Sequence, residues 1–317
     1  MHRVGYLALK VCLPLLLLSQ AACTNPGGRC AFWIDMYEGE PQTYENILDD
    51  LAGVRVVYLG ERHTLQHHHD MQTRIVKDLA ARGLPLVLGL EQLEVDYQPT
   101  VDAYNRGEIS FEEMAERTDW AKRWSGYEVY QPIVEAAHAV GAPVLALNAK
   151  RETVREVAKK GIDGLDAETR ALLPAELNLD DPMYRGKMDR VMMVHAMVTE
   201  EMVGRMFAAQ VSRDETMAHT LSEFLKSEAG RDRVAVVICG AGHAEHGLGI
   251  PSRVRRRIPG IKDRILVMSG SGDVELSPKM QAMVREITIT HEQLRDLDKP
   301  LADYLYARNL NPKALAD

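Results

Sequence analysis

Polar side chains that can bind ligands or transfer protons follow several apolar segments of this 317-residue chain. A carboxylate close to an imidazole, as in Glu61 and His63, can hold a metal ion or act as a general base with its orienting partner. His243 lies in a glycine-rich loop, where the backbone can approach a ligand closely. The polar residues are, in chain order, Glu61 and His63 after segment 54–59, Glu91 and Gln92 after 84–90, Asn148 at the end of 143–148, and His243 after 234–239.

The apolar segments have the length and composition of buried strands, and segment 264–268 is a fifth one. Strands that alternate with helices predict an α/β fold with a mostly parallel central sheet, helices on both faces and a helical segment covering the site. In such sheets ligands bind beyond the carboxyl ends of the strands, so the polar residues are expected to converge on one site. The helical patterns lie at 67–82, 110–118, 128–140, 151–160 and 187–227.

Glu61, His63 and His243 are open to two interpretations. Together they would hold a divalent metal or activate water, with Glu91 assisting, which is the chemistry of a hydrolase. The plainer interpretation is that Glu61 favours a helix N-terminus and that His63 is a surface residue. The chain has no HExxH and no GxSxG motif, which counts against two common types of hydrolase.

Three consecutive histidines, His67, His68 and His69, follow His63 closely. His63 and His67 are four residues apart and would share a face if the helix has already begun at His63, whereas His68 and His69 point in other directions. One centre cannot use all three, so each is expected to make a polar contact within the protein or to face solvent.

Two segments could form the wall of an apolar ligand pocket. Residues 120–133 hold two of the three tryptophans, for which core packing is the first interpretation. Residues 183–210 hold seven of the fifteen methionines and form either a flexible helical core or a pocket for a large planar ligand. In the second case Tyr184 or His195 would reach the ligand's metal, and its carboxylates would meet Arg185 or Lys187.

The N-terminus has the architecture of a secretory signal, residues 1–22, and is not expected to belong to the fold. The small residues before Cys23 are typical of lipoprotein processing, which would leave Cys23 acylated. Gln20 departs from that pattern, so cleavage by an ordinary signal peptidase after residue 22 is the alternative. Residues 23–45 are predicted to be a linker and residues 46–310 a single domain.

Charge and cysteine usage narrow the possibilities further. The formal net charge of −8 argues against nucleic acid as a partner. The basic run 252–264 is interpreted as a solvated helix face, with an anion-facing patch as the alternative. Cys239, inside an apolar strand, is expected to be a buried thiol.

Several of these segments, taken in order, resemble the ChaN-type haem-binding uptake lipoproteins of the Tiki superfamily. Glu61 and His63 fall on that family's Gly-Glu-x-His motif, and His243 falls on its Gly-x-Gly-His motif. His68 and His69 fall on its paired histidines. The similar pieces span roughly 50–270 and are GERHTLQHHHDMQ, LGLEQLEVDYQPTVDAYNRGEIS, WAKRWSGYEVYQPIVEAA, VLALNAKRE, FAAQVSRDETMA and AGHAEHGLGIP, with PLADYLYA (300–307) similar to a later segment.

The resemblance implies a Tiki/erythromycin-esterase-like fold and haem binding in iron acquisition. It also implies a place in the bacterial cell envelope, as an outer-membrane lipoprotein facing the periplasm. In this family haem is associated with a tyrosine ligand and with histidine contacts across a dimer. Haem, the membrane and a second copy of the chain are therefore the implied partners.

No motif identifies the tyrosine, so Tyr184, Tyr97 and Tyr104 remain open. The candidate haem contacts are Tyr184, His195, Arg185, His63 and His243. A haem-binding protein is favoured over an enzyme, and the alternative is a metal-dependent hydrolase that uses Glu61, His63 and His243.

Overall fold

The computed structural model describes residues 31–193, 199–271 and 299–309. The predicted signal peptide, Cys23 and His195 lie outside these residues. The described strands are β1 (Ala31–Asp35), β2 (Pro41–Gln42), β3 (Val56–Glu61), β4 (Leu86–Glu94), β5 (Val144–Asn148), β6 (Val234–Gly240), β7 (Asp263–Ser271) and β8 (Tyr304–Asn309).

These strands form one sheet in the order β2-β1-β8-β7-β3-β6-β4-β5. The strands from β8 to β5 in this order are mutually parallel, and β1 and β2 form an antiparallel edge. Neighbouring parallel strands such as β3 and β6 are far apart in sequence and are joined by helical crossovers, as parallel pairing requires. The five predicted strands correspond to β3 to β7.

The described helices are α1 (Tyr44–Leu51), α2 (Gln66–Ala81), α3 (Gln98–Asn105), α4 (Phe111–Arg117), α5 (Trp120–Arg123), α6 (Gln131–His138), α7 (Arg151–Lys160), α8 (Ala167–Ala171), α9 (Pro182–Met193), α10 (Glu200–Lys226) and α11 (Ile250–Arg257). Short 3-10 turns occupy Val95–Tyr97, Tyr127–Tyr130, Ala241–His243 and Glu245–Gly247. Local sequence explains several helix starts: Thr43 and Thr199 cap α1 and α10, and Ser110 with Glu113 forms a capping box at α4. The pattern predicted over 187–227 corresponds to α9 and α10.

Alternate residues of the central strands feed two separate apolar cores. Leu59 of β3 packs in the core with α2 and α6, whereas its neighbour Tyr58 packs in the core with α10 and α11. Successive side chains of a strand point to opposite faces, so a strand buried on both sides needs apolar residues throughout. The predicted α/β fold with helices on both faces of a mostly parallel sheet is confirmed.

Part of the segment predicted to be a linker belongs to the sheet. Within 23–45, residues 31–35 form β1, which pairs with β8 so that Trp33 faces Tyr306. Trp33 is buried, stacks on Tyr44 and packs against Tyr306 with the two rings tilted. β1 is short, and its partner strand β8 lies far away in the sequence. The local pattern therefore indicated a linker.

The basic run 252–264 differs from both interpretations of it, because its arginines pair with carboxylates of other elements. Arg253, Arg256 and Arg257 all approach the buried Glu215 on α10, at N–O distances of 3.3, 2.7 and 2.5 Å. In the same run, Arg255 pairs with Asp263 of β7, and Arg264 pairs with Asp50 of α1. Much of the positive charge of this run therefore holds α11 against α10 and the sheet. None of the described helices has the length and apolar character needed to cross a bilayer.

Candidate functional site

The carboxyl ends of three adjacent strands meet at one point of the sheet. Glu61, the last residue of β3, pairs in register with Gly240 at the end of β6. On its other side β6 pairs with β4, where Leu90 lies opposite Ile238 directly before Glu91. The structure thus brings Glu61, His63, Glu91 and His243 to one edge of the sheet, as their positions at strand ends predict.

Glu61 is a buried carboxylate surrounded by five donors. Burial alone would raise its pKa, but hydrogen bonds from His63, His69 and Tyr130 outweigh burial and lower the pKa to about 2. The carboxylate is therefore ionised well above pH 2 and orients its neighbours. The donors are Tyr130 Oη at 2.5 Å, Gln72 Nε2 at 2.7 Å, His63 Nδ1 at 2.8 Å, His69 Nδ1 at 3.1 Å and Gln92 Nε2 at 3.3 Å.

The three histidines of α2 are all buried. His69 places Nδ1 beside Glu61 and Nε2 at 3.2 Å from the His63 carbonyl, so both of its nitrogens meet acceptors. His68 Nδ1 accepts a hydrogen bond from the Arg62 backbone N–H, and burial lowers the pKa of His68 to about 3. His69 thus supports Glu61 from behind, and His68 shapes the turn that carries His63.

His63 is the member of this cluster that remains accessible, with 38% of its side chain exposed. Its Nδ1 donates to Glu61, which leaves Nε2 without a hydrogen-bond partner among the described residues. Burial lowers the pKa of His63, but the hydrogen bond to Glu61 and the charge of Glu91 outweigh burial and raise it. The imidazole and the Trp124 ring pack edge to face, with their centroids 4.9 Å apart. A Cβ at Gly240 would lie 2.8 Å from Nε2, so a larger residue at this position would displace the His63 ring.

His243, in contrast, is enclosed on both sides. Its Nδ1 lies 2.6 Å from Asp214 and its Nε2 lies 3.2 Å from Glu91, which also accepts the Gly240 N–H at 2.6 Å. Burial disfavours the imidazolium, yet Glu91 and Asp214 outweigh it and raise the pKa of His243 to about 10. Tyr184 completes the network by donating to Asp214 at 2.6 Å. His243 is therefore a charged link between α10 and the sheet, with no nitrogen left for a ligand.

A cavity of about 340 Å³ opens beside His63, at the small end of the range for ligand pockets. It combines one accessible imidazole, an aromatic wall and three guanidinium groups. The lining residues are His63, Thr64, Glu91, Gln92, Glu94, Arg123, Trp124, Ser125, Asn148, Ala149, Arg151 and Arg213.

The metal site predicted at Glu61, His63 and His243 is not found. Among the described residues, no group of three or more histidines, cysteines and carboxylates is arranged to hold a metal ion. The physical reason is that both oxygens of Glu61 and both nitrogens of His243 are engaged by protein partners. Glu61 and His243 therefore do not offer the free ligand atoms that the metal-dependent hydrolase interpretation requires of them.

The other candidate haem contacts within the described residues do not line this cavity. Tyr184 is fully buried, and burial together with the charge of Asp214 raises its pKa, which disfavours the phenolate. Tyr104 is also buried, and Tyr97 lies partly exposed beneath the Arg123 guanidinium. Arg185 pairs with Asp189 on its own helix. Lys187 is buried between the Gly242 carbonyl and Glu245.

Sequence reasoning did not single out several residues that complete the site. Tyr130 donates to Glu61, and Asp214 holds His243. Gln210, Arg213 and Asp214 follow the i, i+3, i+4 spacing of one helix face within a buried helix, which is a readable signal for a polar face pointing inward. The aromatic segment 120–133 divides between two roles, because Trp120 is in the core and Trp124 lines the cavity.

Comparisons with known proteins agree with this architecture. The chain is similar to a structure titled "Cofacial heme binding to ChaN of Campylobacter jejuni", with 18% identity over 88% of this chain and 96% of that one and a TM-score of 0.64, which shows a common fold. A mutant of the erythromycin esterase EreC in its open conformation is similar at 11% identity over 75% of this chain and 77% of that one, but the TM-score of 0.43 is too low to bear on function. No protein with a curated description matches the chain.

The family model described as "Haem-binding uptake, Tiki superfamily, ChaN" matches residues 47–254. This range contains the cavity and both of the histidines that meet at the carboxyl end of the sheet. The chain belongs to the ChaN haem-binding uptake family of the Tiki superfamily.

Proposed function

We propose that this protein binds haem at the carboxyl end of its sheet and that His63 Nε2 is the group offered to the iron. The observation that carries this proposal is the state of the His63 ring, which Glu61 fixes through Nδ1 while Nε2 stays free beside a cavity. Histidines that bind metals typically donate their other N–H to a carboxylate or a carbonyl, which sets the tautomer and the ring orientation. Membership of the ChaN family supports haem as the ligand.

The surroundings of His63 suit a planar apolar ligand with acidic groups. Trp124 lies beside the imidazole, and the lining of the same cavity carries arginines. Tyr184 and His243 are less suitable as ligands, because each is buried and already hydrogen-bonded. A haem held by His63 would receive its charge balance from the arginines and its hydrophobic contact from Trp124.

The test is a titration of the purified apoprotein with haemin, followed by absorbance in the Soret region. The wild-type protein is expected to give a saturable change, and His63→Ala is expected to weaken binding and alter the Soret and visible bands. His219→Ala, which removes an exposed histidine from α10, serves as the matched control. An unsaturable wild-type titration would refute haem binding, and an unchanged His63→Ala spectrum would refute the assignment of the ligand.

A cell-envelope role extends this proposal. The signal-like residues 1–22 and the small residues before Cys23 support export and acylation of Cys23, and hence an outer-membrane lipoprotein that acts in iron acquisition. Binding across a homodimer is proposed from the family resemblance. A Cys23→Ser variant is expected to move from the membrane fraction to the soluble fraction, and an unchanged distribution would count against the lipid anchor.

A further inference from the structure

Of the three arginines that line the cavity, Arg123 has acidic partners among the described residues, whereas Arg151 and Arg213 have none. Arg123 is bidentate to Glu94 at 2.8 Å and also approaches Glu152. Among the described residues, no carboxylate lies within 4 Å of the Arg151 or the Arg213 guanidinium. Arg151 donates to the Lys122 carbonyl at 3.3 Å, and Arg213 reaches Asn148 at 3.5 Å, the limit of a hydrogen bond.

The two glutamates that line the same cavity do not neutralise these arginines. Glu91 is occupied by the Gly240 N–H and by His243, and Glu94 is occupied by the Arg123 guanidinium and the Arg151 backbone N–H. The cavity therefore has an excess of positive charge that is partly shielded from water, and such charge attracts anions more strongly than a solvated surface charge does.

The two elements that carry these arginines pack directly against each other. Arg151 begins α7, Arg213 lies in the middle of α10, and the two helices are in contact. Asn148 ends β5 shortly before α7 and touches Arg213, so the sheet and both helices fix this side of the cavity. The backbone that carries both arginines is therefore fixed by packing, and no carboxylate of the described residues pairs with either guanidinium group.

We infer that Arg151 and Arg213 form a receptor for the carboxylate groups of the ligand. Guanidinium is a planar fork that matches a carboxylate with two parallel hydrogen bonds. The inference rests on the proposed function for one of its two possible sources, the propionate groups of haem, and the other source is a free small dicarboxylate. The cavity volume of about 340 Å³ accommodates one edge of a large planar ligand or the whole of a small acid.

The decisive experiment compares haemin with its dimethyl ester, in which both propionates are blocked. Arg213→Ala and Arg151→Ala are each expected to weaken the binding of haemin about tenfold, the size of one charge-assisted hydrogen bond, and to leave the binding of the ester unchanged. Arg155→Ala is the matched control, because Arg155 is exposed one turn after Arg151 and does not line the cavity. Equal losses for haemin and for the ester would overturn the inference.

Two further probes separate this inference from the proposed function. Protoporphyrin IX lacks iron, so its binding is expected to depend on Arg213 but not on His63. If no porphyrin binds, calorimetry with succinate tests the receptor alone, and succinate binding that Arg213→Ala abolishes would support it. Absence of binding for porphyrins and succinate alike would overturn both ideas. An Arg213→Lys variant with the wild-type circular dichroism spectrum keeps the charge without the fork and is expected to lie between wild type and Arg213→Ala.

Discussion

Two carboxylate–histidine pairs lie at the same end of the sheet. They consist of the same types of side chain but differ in burial and in the number of hydrogen-bond partners of the imidazole. In the pair of Glu61 and His63, the carboxylate is buried and the imidazole is 38% exposed with one nitrogen free. In the pair of Glu91 and His243, the imidazole is buried as well, and Asp214 occupies its second nitrogen.

This difference gives two similar histidines different roles, one structural and one accessible to a ligand. The second carboxylate at His243 turns a potential ligand into a structural ion pair, whereas His63, with one carboxylate, is oriented and still accessible. Burial of both partners raises the energetic importance of the His243 network, because an unpaired charge in the interior is strongly unfavourable. We therefore expect substitution of His243 mainly to lower stability and substitution of His63 mainly to weaken ligand binding.

The largest effect on stability is expected for His243→Ala. The substitution leaves Glu91 and Asp214 without their shared cation in a buried site, and breaking such a pair costs about 3–5 kcal/mol of unfolding free energy. Denaturant unfolding followed by circular dichroism measures the change. The exposed His219→Ala variant is expected to lie within about 0.5 kcal/mol of wild type. Similar losses for both variants would show that the His243 network has no special role.

An intermediate effect on the free energy of unfolding is expected when the pH is changed. The pKa of His243 is raised from 6.5 to about 10, so its contribution to stability is complete below about 6.5 and is lost as the pH rises through 10. Glu61 and Glu91 behave in the opposite way: their pKa values fall to about 2, so their contribution is present above about 4.5 and is lost on acidification toward 2. The stability difference between wild type and His243→Gln is expected to shrink from pH 6.5 to 10. A difference that stays constant over this range would contradict the assignment.

Of the two site histidines, His63 is expected to give the smaller effect on stability when it is replaced by Ala. Glu61 keeps Tyr130, Gln72, His69 and Gln92 as donors, and the removed ring is partly solvated, so the loss is about 1 kcal/mol. The same denaturant titration measures it. A loss as large as that of His243→Ala would mean that His63 belongs to the frame of the site and would remove the contrast between the two pairs.

The sequence predicts the frame of the site better than its interior. Strand ends are local features, so Glu61, His63, Glu91 and His243 are found by reading where apolar segments stop. Tyr130 and Asp214 are far in sequence from the strand ends: Tyr130 closes a 3-10 turn, and Asp214 is marked only by the spacing of polar residues on α10, which does not identify His243 as its partner. Tyr184 illustrates the opposite failure, because a phenol near a methionine-rich helix suggests a ligand until its burial against Asp214 is known.

The same reasoning explains why the central strands were recognised from the sequence and the edge strand β1 was not. The central strands are buried on both faces, so their sequences are continuously apolar and easy to recognise. At the edge, β1 is stabilised by contacts of Trp33 with Tyr306 and Tyr44, which no single segment reveals. The paired arginines of 252–264 were equally hidden, because their carboxylate partners lie on other elements.

The strand order also has a consequence for how the protein matures. The Gly240 N–H and the Glu91 carboxylate that meet in the site are 149 residues apart along the chain. Contacts between such distant residues form slowly, because a long loop must close before they stabilise anything. A nascent chain that has not yet added α10 and β6 therefore lacks the Glu91–Gly240 contact and the Arg213 side of the pocket. The pocket can be completed only after the chain has been synthesised as far as β6.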